Sequence, residues 1–85
     1  MPTRILVVDD EAVICRSCEK VFTRAGHDVT TAASGRQALT LLQTMEFDVV
    51  FTDLKMADLG GMEVIETVAQ RYPRPVVVVI TGYAT

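Results

Sequence analysis

VVFTDLKM, residues 49–56, runs from an apolar triplet almost directly into an acid. Val49, Val50 and Phe51 suit a protein interior, and Asp53 follows with only Thr52 between. A short continuous apolar run of this kind reads as a strand buried on both faces. An ionised carboxylate at the end of a buried strand is costly unless something compensates its charge. The fold and the chemistry of the chain both turn on what stands beside Asp53.

Working outward, a second run of the same type lies at the start of the chain. Ile5-Leu6-Val7-Val8 is apolar throughout and ends at Asp9-Asp10. Ile14, Cys18, Val21, Phe22 and Ala25 then recur at helical spacing and predict a helix, which Gly26 closes as its C′ residue. Val29 to Ala32 predicts a short strand. Ser34 with Gln37 three residues on is a capping-box pattern, and Ala38, Leu41, Leu42 and Met45 form the stripe of the helix that follows. Beyond Val49–Thr52, Gly60-Gly61 opens a loop. Met62, Ile65, Val68, Ala69 and Tyr72 predict a third helix, stopped by Pro73 and Pro75. Val76 to Ile80 is a β-branched run that reads as the strongest strand in the chain, ending at Thr81-Gly82.

The order is therefore β-α-β-α-β-α-β. Alternating strands and helices joined by short loops imply a parallel sheet with helices on both faces and right-handed crossovers. In such sheets ligands bind at the carboxyl ends of the strands, near the point where strand order reverses. Asp9 and Asp10 end the first strand, Asp53 the third, and Thr81 the fourth. Any one of these acids alone is readily an ordinary strand-end or N-cap residue. All of them on one sheet edge with a hydroxyl point to a site. Two unit charges 4 Å apart repel by about 4 kcal/mol at an effective dielectric near 20, which raises carboxylate pKa values unless a cation intervenes. Carboxylate oxygens without a neighbouring imidazole or thiolate ligand suit Mg²⁺. A carboxylate beside that ion can attack phosphorus to form an acyl phosphate, with Thr81 placed to donate to a phosphoryl oxygen.

Composition narrows the class. Eighty-five residues make one domain at most, and 49% apolar with 22% charged residues describes a globular chain. So small a domain buries only about 60% of its unfolded surface, so its stability margin is thin. The net charge of −3 argues against a nucleic-acid surface on this segment. No stretch approaches the roughly 20 apolar residues of a membrane span, and Met1 to Arg4 lead into the first strand without a signal-peptide pattern. The expected location is cytoplasmic. Cys15-Arg16-Ser17-Cys18 is a C-x-x-C, but redox pairs sit at the very start of a helix, whereas this one lies about a turn inside. A zinc site needs four ligands, and His27 is the only histidine. Both thiols are read as structural, with Cys18 on the apolar stripe and Cys15 beside it. His27 is read as an exposed turn residue.

ILVVDDE, VVFTDLKM and VVVVITG, in this order and spacing, resemble the receiver domain of bacterial two-component response regulators. The resemblance spans Arg4 to Thr85. It implies a flavodoxin-like fold with strand order 2-1-3-4-5. It implies that Asp53 is the phospho-acceptor, that Asp9 and Asp10 hold Mg²⁺ together with Asp53, and that the backbone carbonyl of Lys55 is a further metal ligand. Thr81 becomes the switch hydroxyl, and the phosphoryl donor a phosphohistidine on a sensor histidine kinase or phosphotransfer protein. The implied protein is a signalling module, not an enzyme, beyond its own aspartyl phosphorylation and dephosphorylation. DLKMADLGGMEVIETV and VVVVITGYAT most resemble receivers attached to transcription activators or hybrid kinases.

Two departures from the family pattern stand out. Ala57 follows Met56 where the family usually has Pro, and losing a compatible Pro costs about 0.4–1 kcal/mol through the unfolded state. The family also continues with a helix, a fifth strand ending near a lysine, and a last helix, about 35 residues at mean element lengths. Residues 1–85 are therefore expected to be a C-terminally incomplete receiver domain, with the final α-β-α missing and an exposed fourth strand prone to pair with another copy.

Two rival readings are weighed against this one. A phosphatase of the haloacid dehalogenase type also uses a strand-end Asp but carries a second Asp two residues later, where this chain has Lys55. A flavin or nucleotide binder wants a glycine- or hydroxyl-rich loop after the first strand, where this chain has Asp9-Asp10-Glu11.

Overall fold

The structure, a computed structural model, describes residues 2–53, 61–70 and 75–80. Its elements are β1 (Arg4–Val8), α1 (Ala12–Arg24), β2 (Asp28–Ala32), α2 (Gly35–Thr44), β3 (Val49–Asp53), α3 (Gly61–Ala69) and β4 (Val76–Ile80). Every predicted element is present within a few residues. The four strands form one parallel sheet in the order β2-β1-β3-β4. This is the expected order as far as the fourth strand. Among the described residues, β4 pairs on one side only, with β3.

Side chains alternate across the sheet because successive residues of a strand point to opposite faces. Leu6, Val8 and Val50 project to one face and pack with Ala38 and Leu42 of α2 and with Val64 and Val68 of α3. Phe47, just before β3, fills the same cluster. Ile5 and Val7 project to the other face and meet Cys15 of α1, with Cys18, Phe22, Val29, Val49 and Phe51 around them. Phe22 stacks on Phe51 at a centroid distance of 4.9 Å. That contact, worth about 0.5–1.5 kcal/mol beyond its burial, carries the end of α1 across to β3.

The helix ends follow local chemistry. Gly26 has φ +91°, His27 N–H donates to the Phe22 carbonyl and Gly26 N–H to the Thr23 carbonyl, so the expected C′ glycine builds a Schellman motif. Ser34 caps α2, its Oγ accepting from Gln37 N–H at 3.1 Å. The Gln37 side chain accepts from Ala33 N–H at 2.8 Å, a return bond that reaches one residue before the cap.

Four sequence expectations need correction. The buried cysteine of α1 is Cys15, 8% exposed, and Cys18 is half-buried, the reverse of their expected ranks. Val21, assigned to the apolar stripe, is 63% exposed, as is Val13 two turns earlier. Ala25, also assigned to that stripe, is exposed. Apolar residues surround much of α1, and among the described residues the arc facing the sheet is the covered one. Among the described side chains of α3, Val64 and Val68 are buried while Ala69 is exposed; the Met62 side chain and Tyr72 lie outside the description. His27, expected to be exposed, is half-buried in the turn. Val76, Val78 and Val79 of β4 are exposed despite their strand-core composition.

Candidate functional site

Parallel register carries Asp9 and Asp53 to the same edge. Val8 of β1 pairs with Thr52 of β3 at the last rung of their register, so the residues that follow, Asp9 and Asp53, emerge side by side. Asp10 follows in the β1–α1 junction. One carboxylate oxygen from each of Asp9, Asp10 and Asp53 lies within 4.8 Å of the others. The structure thus brings together the three acids expected from sequence. Thr81 and Lys55 lie outside the described residues, although Thr81 follows directly on Ile80, the register partner of Asp53.

The three acids differ in setting. Asp9 is 3% exposed, Asp53 is half-buried and Asp10 is exposed. Burial pushes the Asp9 carboxyl above its ordinary value. The Glu11 N–H, which donates to Asp9 Oδ1 at 2.9 Å, opposes that shift, and the charges of Asp53 and Asp10 add to it. The site is therefore a wet-sided acidic cluster with one member drawn into the protein.

The chemistry of the donor set fits a hard divalent cation. All three contributions are carboxylate oxygens, the ligands Mg²⁺ prefers. The nearby thiol turns elsewhere: Cys15 donates to the backbone carbonyl of Asp9 at 3.3 Å. Burial raises the Cys15 and Cys18 thiols above their usual value, with the Asp9 charge adding to both, which is the opposite of a reactive thiolate. Sequence reading placed neither Cys15 against Asp9 nor the Glu11 N–H on its carboxylate. The thiol contact depends on how α1 packs on the sheet and has no signal in residue spacing. Among the described residues, no helix is long and apolar enough to cross a membrane.

Comparison with known proteins agrees with this geometry. The family profile described as response regulator receiver domain matches residues 5–85. The alginate biosynthesis transcriptional regulatory protein AlgB of Pseudomonas putida is 38% identical over 81 residues, covering 95% of this chain and 18% of that protein. The chain therefore spans about a fifth of the length of such relatives. A response regulator receiver domain protein from Methanospirillum hungatei superposes over 100% of this chain and 68% of its own, with a TM-score of 0.93 at 29% identity. The response regulator TrrA of Thermotoga maritima, solved in complex with Mg²⁺ and BeF, superposes over 96% of this chain and 71% of its own, with a TM-score of 0.88 at 29% identity. With strand order, acidic edge and profile in agreement along nearly its whole length, the chain belongs to the response regulator receiver domain family.

Proposed function

We propose that Asp53 is the phospho-acceptor of this receiver domain and that Asp9, Asp10 and Asp53 hold Mg²⁺. The observation that carries the reading is the convergence of three carboxylates within 4.8 Å at the carboxyl edge of the sheet. Like charges brought this close repel, and a divalent ion is the economical reason to keep them there. When bound, Mg²⁺ offsets negative charge on the phosphoryl oxygens and on the acids. Asp53 supplies the nucleophile: a carboxylate oxygen forms a bond to phosphorus. The P–N bond of the donor phosphohistidine breaks, and its electron pair returns to the imidazole nitrogen. The product on this chain is an acyl phosphate, which water later hydrolyses to restore the carboxylate and release inorganic phosphate.

Asp9, held by the Glu11 N–H, and Asp10, on the solvent side, keep the acidic edge in place around Asp53. The resemblance of the motifs supports Lys55 as a further ligand through its backbone carbonyl and Thr81 as the hydroxyl that reads the phosphoryl group. The partner is a sensor histidine kinase or phosphotransfer protein, and the setting is cytoplasmic. Among the described residues β4 pairs with β3 alone, and this, with the exposure of Val76, Val78 and Val79, supports a second association, of polypeptide 1–85 with its own copies.

The test is incubation of the full chain with a small-molecule phosphodonor, with and without Mg²⁺. Intact-mass measurement gains one phosphoryl group only with Mg²⁺, and Asp53→Asn gains none. Equal labelling of Asp53→Asn would overturn the assignment of the nucleophile. Metal-independent labelling would overturn the role of the acids as a metal centre.

A further inference from the structure

Cys15 sits where α1 meets the acidic edge. Its side chain is 8% exposed, and its thiol donates to the Asp9 carbonyl at 3.3 Å and lies 3.8 Å from the Ala32 carbonyl. These carbonyls stand at the ends of β1 and β2. Asp9 N–H itself donates to the Ala32 carbonyl at 3.1 Å, extending the β1–β2 ladder by one bond past the last paired residues. The thiol therefore caps that final rung. The Cys15 N–H donates to the Glu11 carbonyl at 3.2 Å, and the Glu11 N–H donates to the Asp9 carboxylate. Asp9, Glu11 and Cys15 thus close a ring of hydrogen bonds: the backbone of Asp9 is held from the helix, and its carboxylate from the junction.

We infer that Cys15 is a positioning residue for the Asp9–Asp10–Asp53 centre, its S–H fixing the β1–α1 junction on which Asp9 and Asp10 stand. This rests on the reading of that centre as a Mg²⁺ site. An apolar residue of equal bulk fills the same space between Ile5, Val7 and Cys18 but gives the Asp9 carbonyl no donor. Alternative rotations of the junction then become accessible, and the carboxylates lose their shared geometry. Residues that orient a metal ligand typically carry 10–100-fold in affinity, and a weak thiol donor acting on the ligand's backbone carries about three- to tenfold.

The test titrates Mg²⁺ alone into the full chain by calorimetry, for wild type, Cys15→Ser, Cys15→Ala and Cys15→Val, with urea unfolding of each. Serine keeps a donor and worsens apolar packing; valine keeps bulk and removes the donor. Cys15→Ala and Cys15→Val bind Mg²⁺ about three- to tenfold more weakly than wild type, while Cys15→Ser stays within about twofold although it is no more stable than Cys15→Val. If Cys15→Ala does not fold, the serine–valine pair carries the same comparison. Wild-type affinity in Cys15→Val, or affinity that simply follows the stability ranking, overturns the inference while leaving the metal centre intact. A wild type that binds no Mg²⁺ overturns the metal centre itself, and the inference with it.

Discussion

Replacing Asp9 by Asn removes one charge from the acidic edge while keeping an Oδ1 that can accept the Glu11 N–H. The three acids place an oxygen each within 4.8 Å, a separation at which a pair of charges repels by about 3.5 kcal/mol at an effective dielectric of 20 and about 0.9 kcal/mol in water. Asp10 is exposed, so the screened end of that range governs, and Asp9 faces two partners. Without metal, Asp9→Asn is therefore more stable than wild type by about 2 kcal/mol near neutral pH. The pH dependence has a fixed sign. The Asp9 carboxyl titrates higher folded than unfolded, so from the ordinary 3.8 up to its raised folded value the native state holds more proton than the unfolded one. Stability from this group falls as pH rises through that window, and the advantage of the Asn variant vanishes as pH drops below it. Saturating Mg²⁺ reverses the ranking: at about 100 times its dissociation constant it adds about 2.7 kcal/mol to wild type and much less to the variant. Urea unfolding in a chelator and in Mg²⁺, from pH 4 to pH 8, reads all of this. An Asn variant less stable than wild type in the chelator at neutral pH, or equal Mg²⁺ shifts in the two proteins, would refute the electrostatic argument.

Gly26→Ala lowers stability by about 1 kcal/mol, purely through the backbone, since φ is +91° and an added Cβ meets nothing within 4 Å; thermal unfolding checks it, and an unchanged or raised Tm would count against the Schellman geometry. Cys15→Ala costs about 1–2 kcal/mol and Cys18→Ala less than half of that, because Cys15 is the buried member of the pair; the opposite ranking in denaturant would contradict the packing of α1. Polypeptide 1–85 sediments as a concentration-dependent oligomer, and Val78→Lys, which places a charge on the exposed side of β4, shifts it toward monomer; a monomer at every concentration would refute association through this strand.

Element order and the acidic edge were legible because both depend on short-range patterns. Apolar runs bounded by Asp, Gly and Pro define the strands, and parallel register then forces the residues after Val8 and Thr52 to lie together. Helix phase was less legible. α1 carries Val13, Ile14, Cys15, Cys18, Val21 and Phe22, which spread around most of its circumference, so periodicity alone did not choose the arc that faces the sheet. The sheet chose Cys15 over Cys18 and left Val13 and Val21 in water. The same limit hid Val64, buried one position before the expected Ile65, and Phe47, a loop residue that completes the core from outside any stripe. Hydrogen bonds from a thiol to carbonyls of two strands depend on tertiary placement and leave no trace in spacing.

The central claim is that the phosphoryl group resides on Asp53. An acyl phosphate on aspartate is cleaved by borohydride to leave homoserine, so treating the phosphorylated full chain with borohydride and sequencing its peptides by mass spectrometry locates the modified residue. The account predicts homoserine at position 53, dependent on Mg²⁺ and on Asp9 and Asp10. Homoserine at position 9 or 10, or a phosphoryl group that survives base and sits on a hydroxyl, would contradict it.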